Sequence, residues 1–250
     1  MSARTFRIFR GDREAGDFVD YATEITEGMV VLDAVHQIQA TAAPDLACRW
    51  NCKAGKCGSC SAEINGKPRL MCMTRMNTFP EGEAISVAPI RAFPLIKDLV
   101  TDVSYNYEKA RQVPPLRLKP PEADGTYRMM QEDIDRIQEF HKCIECFLCQ
   151  DVCHVIRDHD LKKSFAGPRF FIKIAGLDMH PLDTVDRTEF VGKQAGIGLC
   201  NITKCCSEVC PEHIHITDNG IIPMKERMAD NFDPIVWLLR KFRGQRKSPA

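Results

Sequence analysis

Cys143-Ile144-Glu145-Cys146-Phe147-Leu148-Cys149-Gln150-Asp151-Val152-Cys153 sets four cysteines at the spacing Cys-x2-Cys-x2-Cys-x3-Cys. In chains that hold two iron–sulfur clusters, the first three thiolates of such a run grip one cluster and the fourth reaches across to the other. The run therefore requires a reciprocal one. Counting back from Cys210-Pro211, the matching positions are 206, 203 and 200: Cys206 and Cys200 are present, and position 203 is Thr. Just upstream of the first run, Ile134, Ile137 and Phe140 recur at helical spacing through Gln131–His141, and no convincing strand follows. The second half of the chain is expected to be helical.

The donor count differs between the two clusters. Cys143, Cys146, Cys149 and the crossing Cys210 supply four thiolates, which suits a 4Fe-4S cube. Cys200, Cys206 and the crossing Cys153 supply only three. A neutral Thr203 hydroxyl is a poor replacement for thiolate on iron, so a 3Fe-4S cluster is expected there. A swap of Cys205 for Cys206 as ligand stays open.

A third cysteine group lies upstream. Cys52-x4-Cys57-x2-Cys60 has the plant-type ferredoxin spacing for a 2Fe-2S cluster, with Cys72 available as the fourth thiolate. Gly55 and Gly58 suit a loop that must adopt unusual dihedrals and bring backbone N–H groups to sulfur. Four thiolates also suit tetrahedral zinc, but zinc sites usually pair two short Cys-x2-Cys knuckles, and here three cysteines share one glycine-rich loop. Asn65-Gly66 is a two-residue hairpin signal, and Cys72, expected on the second arm, is carried back by the turn toward the loop. Of the thirteen cysteines, Cys48 and Cys205 are left over and read as small buried residues.

The surrounding pattern is mixed in the first half. Thr5-Phe6-Arg7-Ile8-Phe9-Arg10 alternates as a strand, and Val31, Leu32, Val35 and Ile38 recur at helical spacing before Pro44. Residues 113–121 then carry four prolines, which block helix and central strand alike. The expected architecture is α+β: a ferredoxin-type domain over residues 1–110, a proline-rich linker over 111–125, and an all-α two-cluster domain over 126–250 with its own core.

Composition narrows the function. Lys+Arg and Asp+Glu are both 34, with 44% hydrophobic residues, which excludes bulk disorder and a globally basic nucleic-acid binder. Residues 1–18 hold no apolar run that could serve as a signal-peptide core, so the cysteines are expected to stay reduced. No run of 18 apolar residues exists, and the clearest one, residues 235–239, is too short to cross a bilayer. Dinucleotide and phosphate-loop fingerprints are absent, as is any recognisable catalytic triad or paired-carboxylate motif. The chain is expected to carry electrons and to leave bond-making to partners.

The order and intervals of these three motifs resemble the iron–sulfur subunits of succinate dehydrogenase and fumarate reductase, including a non-cysteine residue at position 203. Lys97-Asp98-Leu99-Val100-Thr101-Asp102 is similar to that family's segment after its first domain. The resemblance implies a β-grasp ferredoxin domain followed by an α-helical ferredoxin domain. It implies an FAD-containing flavoprotein partner at the 2Fe-2S end, and a hydrophobic membrane anchor and quinone at the 3Fe-4S end. It also implies a peripheral position on the cytoplasmic side of a membrane. The direction of flow, succinate oxidation or fumarate reduction, is not written in the motifs. A stand-alone ferredoxin or a subunit of another dehydrogenase, such as a heterodisulfide-reductase-type partner, remains a further reading.

In the ubiquinone-reducing members, quinone contacts come from a proline after the crossing cysteine, a tryptophan four residues on, and a histidine after the first ligand of the last run. Here those positions hold His154, Asp158 and Asn201. These departures favour menaquinone, or a quinone site made chiefly by the anchor, with His154 and Asn201 in its vicinity. His36 reads as structural or solvated. Residues 240–247 carry five basic side chains and no acid, which suits either a solvated tail or a segment resting on anionic headgroups.

Overall fold

The protein is described by a computed structural model covering residues 2–232 and Pro234. The chain opens with β1 (Ser2–Gly11) and β2 (Gly16–Ile25), paired antiparallel with Phe6 opposite Tyr21 and Ile8 opposite Val19. The alternation seen in the sequence decides which face is inward: Arg4, Phe6 and Ile8 are buried and Thr5 and Arg7 are exposed. α1 (Val31–Thr41) buries Val31, Leu32, Val35 and Ile38. Its first turn is closed by Asp33, whose carboxylate accepts the Val30 N–H at 3.1 Å.

β3 (Ser61–Ile64) and β4 (Lys67–Leu70) form the expected hairpin, with Ile64 paired to Lys67. Asn65 at φ 48° and Gly66 at φ 71° supply the two left-handed residues that a twisted two-residue turn demands. β4 ends at Leu70, so Cys72 lies in the turn beyond it rather than on the second arm. It still returns to the cysteine loop, because Ser61 pairs with Leu70 and Cys60 and Met71 continue that pairing. β5 (Ile85–Ala88) runs parallel to β1 and antiparallel to β3, which completes a sheet in the order β2-β1-β5-β3-β4. The core between α1 and this sheet gathers Phe6, Ile8, Leu32, Ile38, Ile85 and Val87, each worth about 1.5–3 kcal/mol of burial.

A short ribbon of β6 (Leu95–Lys97) and β7 (Val100–Thr101) follows. Between them Asp98, at 1% exposure, accepts Arg10 Nε at 3.1 Å, Gly11 N at 2.9 Å and Ala47 N at 2.8 Å. One carboxylate thereby fastens the end of β1 to the segment leading into the cysteine loop.

Beyond β7 the described chain is helical: α2 (Ser104–Gln112), α3 (Gln131–His141), α4 (Leu148–Asp151), α5 (His154–Arg157), α6 (Pro168–Asp178), α7 (Cys205–Glu208) and α8 (Ile222–Phe232). α3 has the bounds that its period predicts and buries Ile137 and Phe140. α6 begins with Pro168 in its first turn and packs Phe170, Phe171, Ile172 and Ile174 into a second core.

The two cores are not separate. Ile90, Ala92 and Phe93 join the helical core, while Cys146 and Leu148 join the first. The proline-rich stretch is extended yet fastened. The carbonyls of Pro114 and Pro115 accept Arg187 Nε and Nη2, each at 3.0 Å, and Arg117 and Lys119 bond the backbone of Thr184 and Leu182. Arg187, fully buried, is paired in turn with Asp183.

Candidate iron–sulfur sites

The first site is the loop between α1 and β3. Lys53, Gly55 and Gly58 take positive φ there, which turns N–H groups inward. Ala54 N and Lys56 N each lie 3.3 Å from Cys52 Sγ, and Cys72 N lies 3.5 Å from Cys60 Sγ. Amides aimed at sulfur are the donor set that a cluster's anionic sulfurs need. Burial acts to raise the Cys57 thiol, but hydrogen bonds from Ser59 and Cys52 bring it down to about 7. Burial pushes the Cys60 thiol up to about 12 beside Cys72. The four cysteines thus share one place, with Cys60 and Cys72 buried and Cys52 and Cys57 toward the surface. On that open side Trp50 is 48% exposed and Met73 58%.

The second site is a partly open, apolar cavity lined by Cys143, Cys146, Cys149 and Cys210. Cys210, from the last cysteine run, stands in this lining beside the three cysteines of the first run. Burial pushes the Cys146 thiol up to about 12 and Cys149 well above its ordinary value, with mutual repulsion adding to it. Thiols so placed stay protonated unless a metal takes them, because coordination deprotonates a thiol outright. Arg169, 8% exposed, lines the same cavity; its Nη2 pairs with Glu145 and its Nε has no protein partner. A guanidinium there would offset the negative charge of a thiolate-held cluster.

The third site is a partly open cavity lined by Cys153, Cys200, Cys206, Thr203 and also Cys205. Cys206 Sγ lies 3.4 Å from Thr217 Oγ1, and Thr203 Oγ1 lies 3.2 Å from Cys205 Sγ. Burial pushes the Cys153 and Cys206 thiols up to about 11. His154 and Asn201 line the cavity as well, whereas Asp158 stands on the surface beside Arg157. Among the described residues no three His, Cys, Asp or Glu side chains stand close enough to share one metal ion.

The model of the "2Fe-2S iron-sulfur cluster binding domain" family matches residues 5–108, and that of the "4Fe-4S dicluster domain" family matches residues 139–214. The fumarate reductase iron-sulfur subunit of Mycobacterium tuberculosis (strain CDC 1551 / Oshkosh) is 33% identical over 205 residues, which is 80% of this chain and 81% of that one. The chain belongs to the family of succinate dehydrogenase and fumarate reductase iron–sulfur subunits. The fumarate reductase iron-sulfur subunit of Escherichia coli O157:H7 is 31% identical, over 74% of this chain and 75% of its own. A chain of the Mycobacterium smegmatis Sdh1 complex in the apo form superposes with a TM-score of 0.91 at 64% identity, over 93% of this chain and 98% of that one. As a member of this family the chain transfers electrons within an oxidoreductase complex and is not the subunit that performs substrate chemistry. Among the described residues no helix is long and apolar enough to cross a membrane.

Several residues of these sites escape a reading of the sequence. Glu145, Phe147, Ile202, Lys204 and His213 adopt positive φ beside the cysteines of the helical half, where glycine would be the expected signal. A β-branched Ile202 at φ 62° is a conformation that only surrounding structure sustains. Arg169 had one signal, a cation directly before the apolar run Phe170-Phe171-Ile172. Cys48 is half-buried against the first core, with its thiol pushed up to about 12 by burial. His36 stacks edge-on against Trp50 at 4.7 Å, and burial lowers its pKa. The apolar run at 235–239 and the basic stretch at 240–247 lie outside the described residues.

Proposed function

We propose that this chain relays electrons from an FAD-containing flavoprotein that oxidises succinate, through 2Fe-2S, 4Fe-4S and 3Fe-4S centres, to a quinone at a hydrophobic membrane anchor. The observation that carries the reading is the serial arrangement of three cysteine sites in one interlocked fold. When bound, the clusters supply one-electron carriers whose potentials differ with cluster type and surroundings.

Cys52, Cys57, Cys60 and Cys72 would hold the first centre, with Trp50 and Met73 forming the apolar rim that a flavoprotein would cover. Cys143, Cys146, Cys149 and Cys210 would hold the second, and Cys153, Cys200 and Cys206 the third. Residues 1–110 would then form the β-grasp domain, 111–125 the linker and 126–250 the helical domain. His154 and Asn201 reach the surface at the third cavity and would meet the quinone, with menaquinone favoured over ubiquinone. The place of the chain would be peripheral, on the cytoplasmic face, held by the anchor.

Fumarate reduction by the same relay is the second reading, favoured by relatives that carry that name. Purification of the intact complex, followed by succinate oxidation and fumarate reduction assays with menaquinone and ubiquinone analogues, tests direction and quinone together. Thr203→Cys tests the third centre. A thiolate added at that position should convert a three-iron centre toward 4Fe-4S, so the paramagnetic signal of the air-oxidised protein should fade. An unchanged signal would place Thr203 away from the centre.

A further inference from the structure

The third cavity holds more sulfur than its expected cluster needs. Cys153, Cys200 and Cys206 account for a three-iron centre, yet Cys205 lines the same cavity. Lys204, at φ 63° and tied to Asp218 at 2.7 Å, bends the chain just before α7, and Cys205 and Cys206 both line the cavity in spite of being consecutive. The Cys205 thiol also lies within electrostatic reach of both Cys153 and Cys206. Its position is specific. Cys205 Sγ sits 3.2 Å from Thr203 Oγ1, and Thr203 is the residue that occupies the missing fourth ligand's place in the spacing. A soft thiolate donor thus stands beside the one corner that the three-cysteine set leaves without sulfur.

We propose that Cys205 is a conditional fourth ligand, through which the third site takes up one ferrous ion under reducing conditions. The inference rests on the three-iron reading above. One electron from an external reductant first reduces the three-iron centre. The reduced centre then binds one Fe2+, an Fe–Sγ bond forms to Cys205, and the Cys205 S–H bond breaks with its proton leaving to solvent. No further electron moves, and the product is a 4Fe-4S centre with four thiolates. Thr203 holds Cys205 beside the corner without competing for iron, since a neutral hydroxyl is the weaker ligand. A four-iron centre with an added anionic ligand has a lower potential, so uptake of iron acts as a brake on transfer to quinone.

The test uses the intact complex, kept anaerobic. Wild type and Cys205→Ala are treated with dithionite and 57Fe2+, desalted, reoxidised mildly, and compared by electron paramagnetic resonance, Mössbauer spectroscopy and iron count. Wild type should gain about one 57Fe per chain and lose most of its three-iron signal, while Cys205→Ala keeps that signal. Equal uptake by both proteins, or uptake by neither, overturns the proposal and leaves the three-iron reading standing. A wild type that is already four-iron as isolated, with a three-iron Cys205→Ala, supports Cys205 as ligand and overturns the three-iron reading instead. Absence of a three-iron signal from both proteins before treatment overturns both. Should Cys205→Ala fail to assemble the centre, alkylation of wild type decides: Cys205 should react with iodoacetamide before iron loading and be protected after it, and equal reactivity overturns the proposal.

Discussion

Gly58 and Cys146 touch across the junction between the two halves of the chain. A Cβ on Gly58 would stand 2.5 Å from Cys146 Cα and 2.9 Å from its amide nitrogen, so only glycine permits this approach. Ser61 Oγ seals the same contact at 2.8 Å from the Cys146 carbonyl. The loop of the first site is thereby pressed, backbone to backbone, against a cysteine of the second. Tunnelling falls steeply with distance, and this contact would shorten the path between centres held at the two sites.

Gly58→Ala should therefore impair the relay. Overpacking at this contact costs about 1–3 kcal/mol, and φ of 69° adds to it. Magnetic coupling between the first and second centres should weaken, and reduction of the second centre through the first should slow. Unchanged coupling in an assembled variant would show that the contact does not set the distance.

Arg169→Gln should lower the potential of the centre in the Cys143 cavity. The substitution removes a nearly buried positive charge that stabilises the more negative, reduced state. A fall of tens of millivolts is expected, where ~59 mV is a tenfold change in a one-electron equilibrium. Potentiometric titration followed by electron paramagnetic resonance measures it, and Arg169→Lys should recover part of the shift.

Asp98→Ala should loosen the first site from a distance. Three donors, Arg10 Nε, Gly11 N and Ala47 N, lose their shared acceptor, at a cost of about 2–3 kcal/mol. Denaturant should then bleach the visible absorbance of the first centre at a lower concentration than in wild type.

Asp183→Asn should release the proline-rich strap. Burial acts to raise the Asp183 carboxyl, but the N–H groups of Arg117 and Val185 and the Arg187 guanidinium bring it below its ordinary value. A lowered folded value means that this group stabilises the fold above the unfolded value of about 4, and that the contribution is lost as pH falls through the folded one. Leaving Arg187 buried without its partner costs about 3–5 kcal/mol. Cleavage within residues 113–121 by limited proteolysis should accelerate in the variant at neutral pH, and in wild type only under acid conditions.

Local chemistry wrote much of this protein into its sequence. Cysteine spacing, the Asn65-Gly66 turn and the periods of β1, α1 and α3 are constraints among residues a few positions apart, where backbone geometry alone dictates what fits. The exchange of Cys153 and Cys210 proposed for the two clusters also rests on the intervals, and Cys210 lines the cavity of the first run while Cys153 lines that of the second. Tertiary structure decided the rest. Gly58 meets Cys146, Arg187 reaches Pro114 and Pro115, and Asp98 holds Ala47, each across dozens of residues with no local signature. Arg169 lines a cluster cavity only because α6 packs its apolar face beneath it. Cys205, too, reads in the sequence as a spare thiol. Packing of α7 against α4, which brings Cys205 to the cavity that Cys153 lines, makes it a wall of the third site, and packing is a property of surfaces that assemble only when the whole chain folds.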